Sequence, residues 1–266
     1  MAKIEASFLD IGRLDRLARG DTWVHCLDPR AKLVTTLVFL MCVVSFGKYE
    51  VAALLPFLVF PVALVALGEL PVGYLLGKLL VVAPFAVLVG AANPFFDPAP
   101  LVRLGPFTLS GGWVSYASIL LRFVLTVSAA LVLIATTSFH GVCVGLQRLG
   151  LPEVMVVQLL LLYRYLFVLT DEALRLVRAR ALRSFGRRGS GLRVYGSLVG
   201  HLLLRTLDRA RRIHQAMLAR GFHGRFHHGH PLHIGRGEVQ FTVGWCSLFL
   251  LFRWVNVPQW LGNLLT

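Results

Sequence analysis

Charge is scarce along most of this chain, and acidic charge is scarcest. Asp and Glu number 13 in 266 residues, and all charged residues together make up 15%. Soluble domains carry about a quarter charged residues, so ordinary water-facing composition is excluded. Cysteine is as thin. Cys26, Cys42, Cys143 and Cys246 lie far apart, with no C-x-x-C pair and no zinc-ligand spacing. They read as buried free thiols rather than a disulfide or metal framework. A phosphate-binding G-x-x-x-x-G-K-[ST] loop is missing too. Its nearest approach, Gly73 to Leu79, has the wrong glycine spacing and no hydroxyl after Lys78. Without that cradle the chain is not expected to hydrolyse ATP. No secretory leader is expected either. The first 32 residues mix acids with bases, and the apolar run from Leu33 lacks a small-residue cleavage site before Lys48.

What is present is apolar surface, at 56% hydrophobic residues and a mean hydropathy of +0.71. An apolar helix of about 20 residues crosses the hydrocarbon core. Five stretches meet or approach that length: 30–47, 50–68, 72–92, 114–138 and 239–256. Pro71 can open the third, and Pro56, Pro61 and Pro84 are tolerable as kinks inside a helical bundle. A loop rich in proline and glycine runs from Asn93-Pro94 to Gly112. The expected fold is therefore an all-α integral membrane protein with about five transmembrane helices and long amphipathic cytosolic helices. Its organisation is expected to be a cytoplasmic segment (1–29), four spans (30–138), a cytosolic region (139–237), and a final span with its tail (238–266).

The formal net charge of +14 is concentrated rather than spread. Fourteen arginines but only Asp171, Glu172 and Asp208 fall between Asp171 and Arg236. In a soluble protein that block would suggest nucleic acid, which is not the reading here. In a membrane protein it marks a cytoplasmic segment, and Lys3, Arg13, Arg16, Arg19, Arg30 and Lys32 mark the N-terminus likewise. Two basic segments thus agree on one orientation. The stretch 151–170 is a competing span, interrupted by Gln158 and Arg164. Crossing there would put the basic block outside, so a helix buried within the protein or lying at the interface is preferred. Within the fourth span, Arg122 should face protein or water. Ser118, Thr126 and Ser128 have no acid or histidine placed to activate them, so no catalytic residue is assigned.

From Leu192 to Arg220, residues Val199, Leu203, Thr206, Ala210, Ile213 and Met217 form one stripe at helical spacing. Arg205, Arg209, Arg212 and Arg220 fall on the neighbouring face. Gly221 suits a helix C′ position, and a terminal arginine complements the helix dipole. Two functional readings stand beside that structural one: attraction to anionic lipid headgroups, and a partner surface that uses the planar guanidinium fork. Lysine occurs only four times and never after Lys78. The preference for arginine leans towards geometric recognition.

Several stretches together carry a family resemblance: LDPRAKL (27–33), NPFFD (93–97), SGGWVSYASILLRF (110–123), ATTSF (135–139), LGLPEVMVVQL (149–159), YRYLFVLTDEALRL (163–176) and MLARGF (217–222). In this order the chain resembles, over nearly its whole length, the transmembrane T component of energy-coupling factor (ECF) transporters, most closely the cobalt-type CbiQ proteins. The resemblance implies a membrane bundle and long coupling helices that dock on two ABC-type ATPase subunits through two Ala-Arg-Gly signatures. The second maps onto Ala219, Arg220 and Gly221. The first falls at Leu182-Arg183-Ser184, where only Arg183 matches. Arg205, Arg209 and Arg212 would form a secondary coupling-helix surface.

The implied partners are a CbiO-type ATPase homodimer, a CbiM-type substrate-binding membrane subunit, a small CbiN-type accessory subunit and the lipid bilayer. This chain would hold no cofactor, since ATP and Mg would lie on the ATPase. The implied location is a bacterial inner membrane, the implied substrate is cobalt(II), and nickel or another ECF substrate is the alternative. A lipid-binding membrane scaffold is the alternative of a different class. His223, His227, His228, His230 and His233 crowd the segment after the second arginine helix. Imidazole suits first-row metals, but these histidines lack a supporting carboxylate and read as a polar loop. No metal ligand is assigned, there or at His25 and His140.

Overall fold

The computed structural model describes residues 15–96, 100–104, 107–183, 192–224 and 235–254. It is α-helical apart from one hairpin. In chain order the elements are α1 (Trp23–Cys26), α2 (Pro29–Val44), α3 (Val51–Leu54), a 3₁₀ turn (Leu55–Leu58), α4 (Val59–Leu67), α5 (Val72–Gly90) and α6 (Asn93–Phe96). Strands β1 (Pro100–Leu104) and β2 (Phe107–Ser110) follow, then α7 (Gly111–Arg148), α8 (Glu153–Arg183), α9 (Leu192–Ala219) and α10 (Arg236–Trp254). The chain divides into two compact units, residues 1–146 with 232–266, and residues 147–231.

In the first unit, local chemistry fixes the helix ends. Asp28 caps α2 by accepting the Arg30 N–H at 2.9 Å, and Pro29 occupies the first turn, where its missing N–H costs nothing. Pro56 falls in the 3₁₀ turn, so the second apolar stretch is three short helical pieces instead of one rod. Pro61 causes no comparable break, because it lies in the first turn of α4. Between α5 and α7 the expected loop contains an antiparallel hairpin, pairing Leu104 with Phe107 and Val102 with Leu109. Short apolar, β-branched runs on either side of Gly105-Pro106 account for it.

The centre of this unit is aromatic. Phe39 of α2, Phe60 of α4 and Phe249 of α10 pack at 4.7–5.3 Å between ring centroids, with Phe57 closing the cluster. All four rings are fully buried. Within a bilayer, where lipid is as apolar as leucine, such packing holds helices together by dispersion and shape. Two arginines then secure one end of α2. Arg122 of α7 donates to the Phe46 and Gly47 carbonyls at 2.8 and 2.6 Å. Arg253 of α10 donates to the Ser45 carbonyl at 3.2 Å and lies over the Phe46 ring. Cations at a helix C-terminus satisfy its orphan carbonyls and dipole. Arg122 thus faces protein.

Among the described residues, three helices are long and apolar enough to cross a membrane: α5, α7 and α8. The presence of α8 among them differs from the sequence-based division, which kept residues 151–170 out of the spans. Among its side chains only Val156 and Val157 are buried, so α8 is not a helix buried within the chain. At about 1.5 Å per residue it is about 46 Å long, apolar in its first half and basic in its second.

Candidate functional site

The arginine-bearing residues lie in the second unit, on α8 and α9. These two helices pack against each other. Thr206, Ala210, Ile213 and Met217, the C-terminal part of the α9 stripe, face Val157, Leu161, Tyr165 and Leu169 of α8 across a groove of about 560 Å³. The first two stripe residues, Val199 and Leu203, are exposed instead. Arg205 donates to the Glu172 carboxylate at 2.6 Å, joining the two helices. Arg209 lines the groove edge and Arg212 stands exposed on the outer face.

Around Arg220 the backbone forms a Schellman cap. The Phe222 N–H donates to the Met217 carbonyl at 3.0 Å, and the Gly221 N–H to the Leu218 carbonyl at 2.9 Å. Gly221 has φ +77°, the left-handed conformation this cap needs, and space around its Cα is open. Glycine is required there by backbone conformation rather than by crowding. Phe222 and Met217 both line the groove, the hydrophobic pairing that accompanies such caps. Ala219 ends α9, and the side chain of Arg220 is exposed beyond it. Arg183 is the last described residue of α8 and is also exposed. Ser184, Arg187 and Arg188 lie outside the described residues, as do His227, His228, His230 and His233. Among the described residues no group of three His, Cys, Asp or Glu side chains could hold a metal ion.

Sequence reasoning missed a second polar cluster, in the first unit. Lys32 is 5% exposed, and its Nζ donates to the Thr136 carbonyl at 2.9 Å and the His25 carbonyl at 3.1 Å. His25 stands beside it, with Nδ1 2.6 Å from the Thr22 hydroxyl. Burial lowers the His25 pKa below its ordinary value, and the Lys32 charge lowers it further. By sequence alone Lys32 reads only as a positive-inside marker. The available signal was its place in LDPRAKL, where an apolar run opens on a lysine.

A helical membrane bundle, joined in sequence to a separate pair of long helices tipped with exposed arginines, defines an integral membrane protein with a specialised polar unit. Residues 20–231 match the family model CbiQ, described as cobalt transport protein, and the chain belongs to this family. It is similar to the energy-coupling factor transporter transmembrane protein EcfT of Leuconostoc gelidum, at 25% identity over 79% of this chain and 83% of that protein. The cobalt transport protein CbiQ of Salmonella typhimurium is 27% identical over 80% of this chain and 98% of its own length. The nickel permease LarQ of Lactiplantibacillus plantarum is 29% identical over a shorter region, 56% of this chain and 60% of that protein. The family is thus that of ECF T components and CbiQ-type transporters, and the chain is a membrane protein of it.

Proposed function

We propose that this chain couples two ABC-type ATPase subunits to a separate substrate-binding membrane subunit, carrying no catalytic group or cofactor of its own. ATP and Mg belong to the ATPases. The observation behind this reading is the exposure of Arg183 and Arg220 at the C-terminal ends of the two long helices in residues 147–231. A guanidinium at a helix end can reach into a groove and bond carboxylates in a bidentate fashion. The site runs from Arg183 to Ala219-Arg220-Gly221, with Arg209 and Arg212 as secondary contacts and Arg205 shared with Glu172. Cobalt(II) is the favoured substrate, from the description of the family. Nickel is the second reading, favoured by the likeness to LarQ. The protein is placed in a bacterial inner membrane with its N-terminus and residues 139–237 cytoplasmic.

Truncating an arginine that is desolvated against a partner carboxylate costs about 2–5 kcal/mol, much of it from the unpaired partner. Arg220→Ala should therefore sharply reduce ATPase co-purification and metal uptake, and Arg183→Ala with Arg220→Ala should abolish both. Arg220→Lys should restore activity only in part, because lysine keeps the charge but loses the fork. Full assembly and uptake by the double variant, at equal protein level, would refute the docking role.

A further inference from the structure

We propose that the break in α7 at Ser138 is a moving joint, held by the buried ammonium of Lys32, through which coupling motion passes between the membrane helices and the chain leading to the arginine unit. This rests on the coupling role proposed above.

Ser138 has φ 59° and ψ 158° inside an otherwise continuous 38-residue helix. That region of backbone space is essentially reserved for glycine and carries strain in any other residue. The chain nevertheless resumes a helix at once, because the Ser138 hydroxyl accepts the Gly141 N–H at 3.2 Å as an N-cap would. A break of this kind frees carbonyls of the preceding turn. One of them, on Thr136, is taken by Lys32. The second acceptor of Lys32 is the His25 carbonyl, so one ammonium ties the α1 region to the break. Thr136 also bonds back to the Val132 carbonyl at 2.9 Å, a pattern that bends helices.

The far side of the break is shaped for close approach. Gly141 and Gly145 face the first turn of α2, and a Cβ on Gly145 would stand 2.6 Å from Leu33 Cδ1 and 3.2 Å from Pro29 Cβ. The Leu33 tip can turn aside, but Pro29 would have to give way slightly before a larger residue could lie so near. The last residues of α7 then lead directly into the unit that starts at Gln147. A strained residue, a capped restart, a small-residue contact and one buried cation thus meet where the chain leaves the membrane unit. Strain of this type persists where neighbouring contacts enforce it, and Lys32 supplies one that can be gained or lost as a unit.

The contact itself offers the test. The Pro29–Gly145 separation is close to the Cβ spacing of a disulfide, about 3.5–4.5 Å. Pro29→Cys and Gly145→Cys, with Leu33→Ala to admit the new side chain, are placed in a transporter whose native cysteines are serine. Cobalt uptake and ATPase retention are compared in the oxidised and reduced forms of this one protein. Uptake should fall about tenfold or more on oxidation and return with dithiothreitol, with the ATPases bound throughout. A second arm uses Lys32→Met, which should keep the ATPases and lose uptake, with Lys32→Arg recovering part of it. Equal uptake by the oxidised and reduced forms would overturn the joint, as would parental uptake by Lys32→Met. Should the Cys pair not fold, the Lys32 arm decides. Failure of the parent complex to retain ATPases would count against the coupling reading instead.

Discussion

Arg220 and Gly221 divide one helix end between them. Gly221 sets the path of the chain, since φ +77° is open to it without penalty, and Arg220 supplies the exposed charge just before that turn. The two roles separate by substitution. Gly221→Ala should cost about 1–2 kcal/mol by forcing an L residue into the left-handed region, with no clash to add to it. Gly221→Asn should cost less, because asparagine visits that region routinely. Melting in detergent should rank the three wild type > Asn > Ala, with ATPase retention following the same order. Retention unchanged in Gly221→Ala would mean that the Schellman turn does not aim the arginine. The need for glycine at this position was legible from the sequence as a helix stop. The engagement of Lys32 with the Thr136 carbonyl was not, because the two are 104 residues apart and only folding brings them together.

Among the elements, α9 shows how far periodicity reaches. The stripe from Thr206 to Met217 faces α8 as its spacing predicts, because 3.6-residue periodicity places those side chains on one side. Periodicity does not say which arginine on the neighbouring face finds a partner inside the chain. Arg205 does, on Glu172, although its side chain remains 61% exposed. Exposed pairs of this kind contribute only about 0.2–1 kcal/mol. Arg205→Ala should therefore change melting little, and it should reduce ATPase retention much less than Arg220→Ala. A loss from Arg205→Ala equal to that from Arg220→Ala would move the docking surface from the helix end to the α8–α9 face. The interruption of α7 was likewise unreadable in ATTSF, which contains neither proline nor glycine. The contact made there by Lys32 comes from a distant part of the chain.

At the scale of the whole molecule, the path of α8 decides on which side of the bilayer α9 emerges. The helix is long and apolar enough to cross, and a crossing there would reverse the side on which α9 emerges. Against that stands the charge. Arg175, Arg178, Arg180 and Arg183 follow within its second half, and α9 adds Arg205, Arg209, Arg211 and Arg212. Basic residues close to spans are retained in the cytoplasm, and the four crossings expected from the sequence after the basic N-terminus return the chain to that same side. An α8 lying along the inner interface satisfies both its apolar half and its arginines, which would meet water or anionic headgroups. Single cysteines at Gly200 and Tyr49, in a background otherwise free of cysteine, separate the two arrangements. An impermeant maleimide added to intact cells should label Tyr49→Cys and spare Gly200→Cys, while inverted vesicles should give the opposite pattern. Labelling of Gly200→Cys in intact cells would make α8 a true span and place the arginines beyond the reach of any cytoplasmic ATPase.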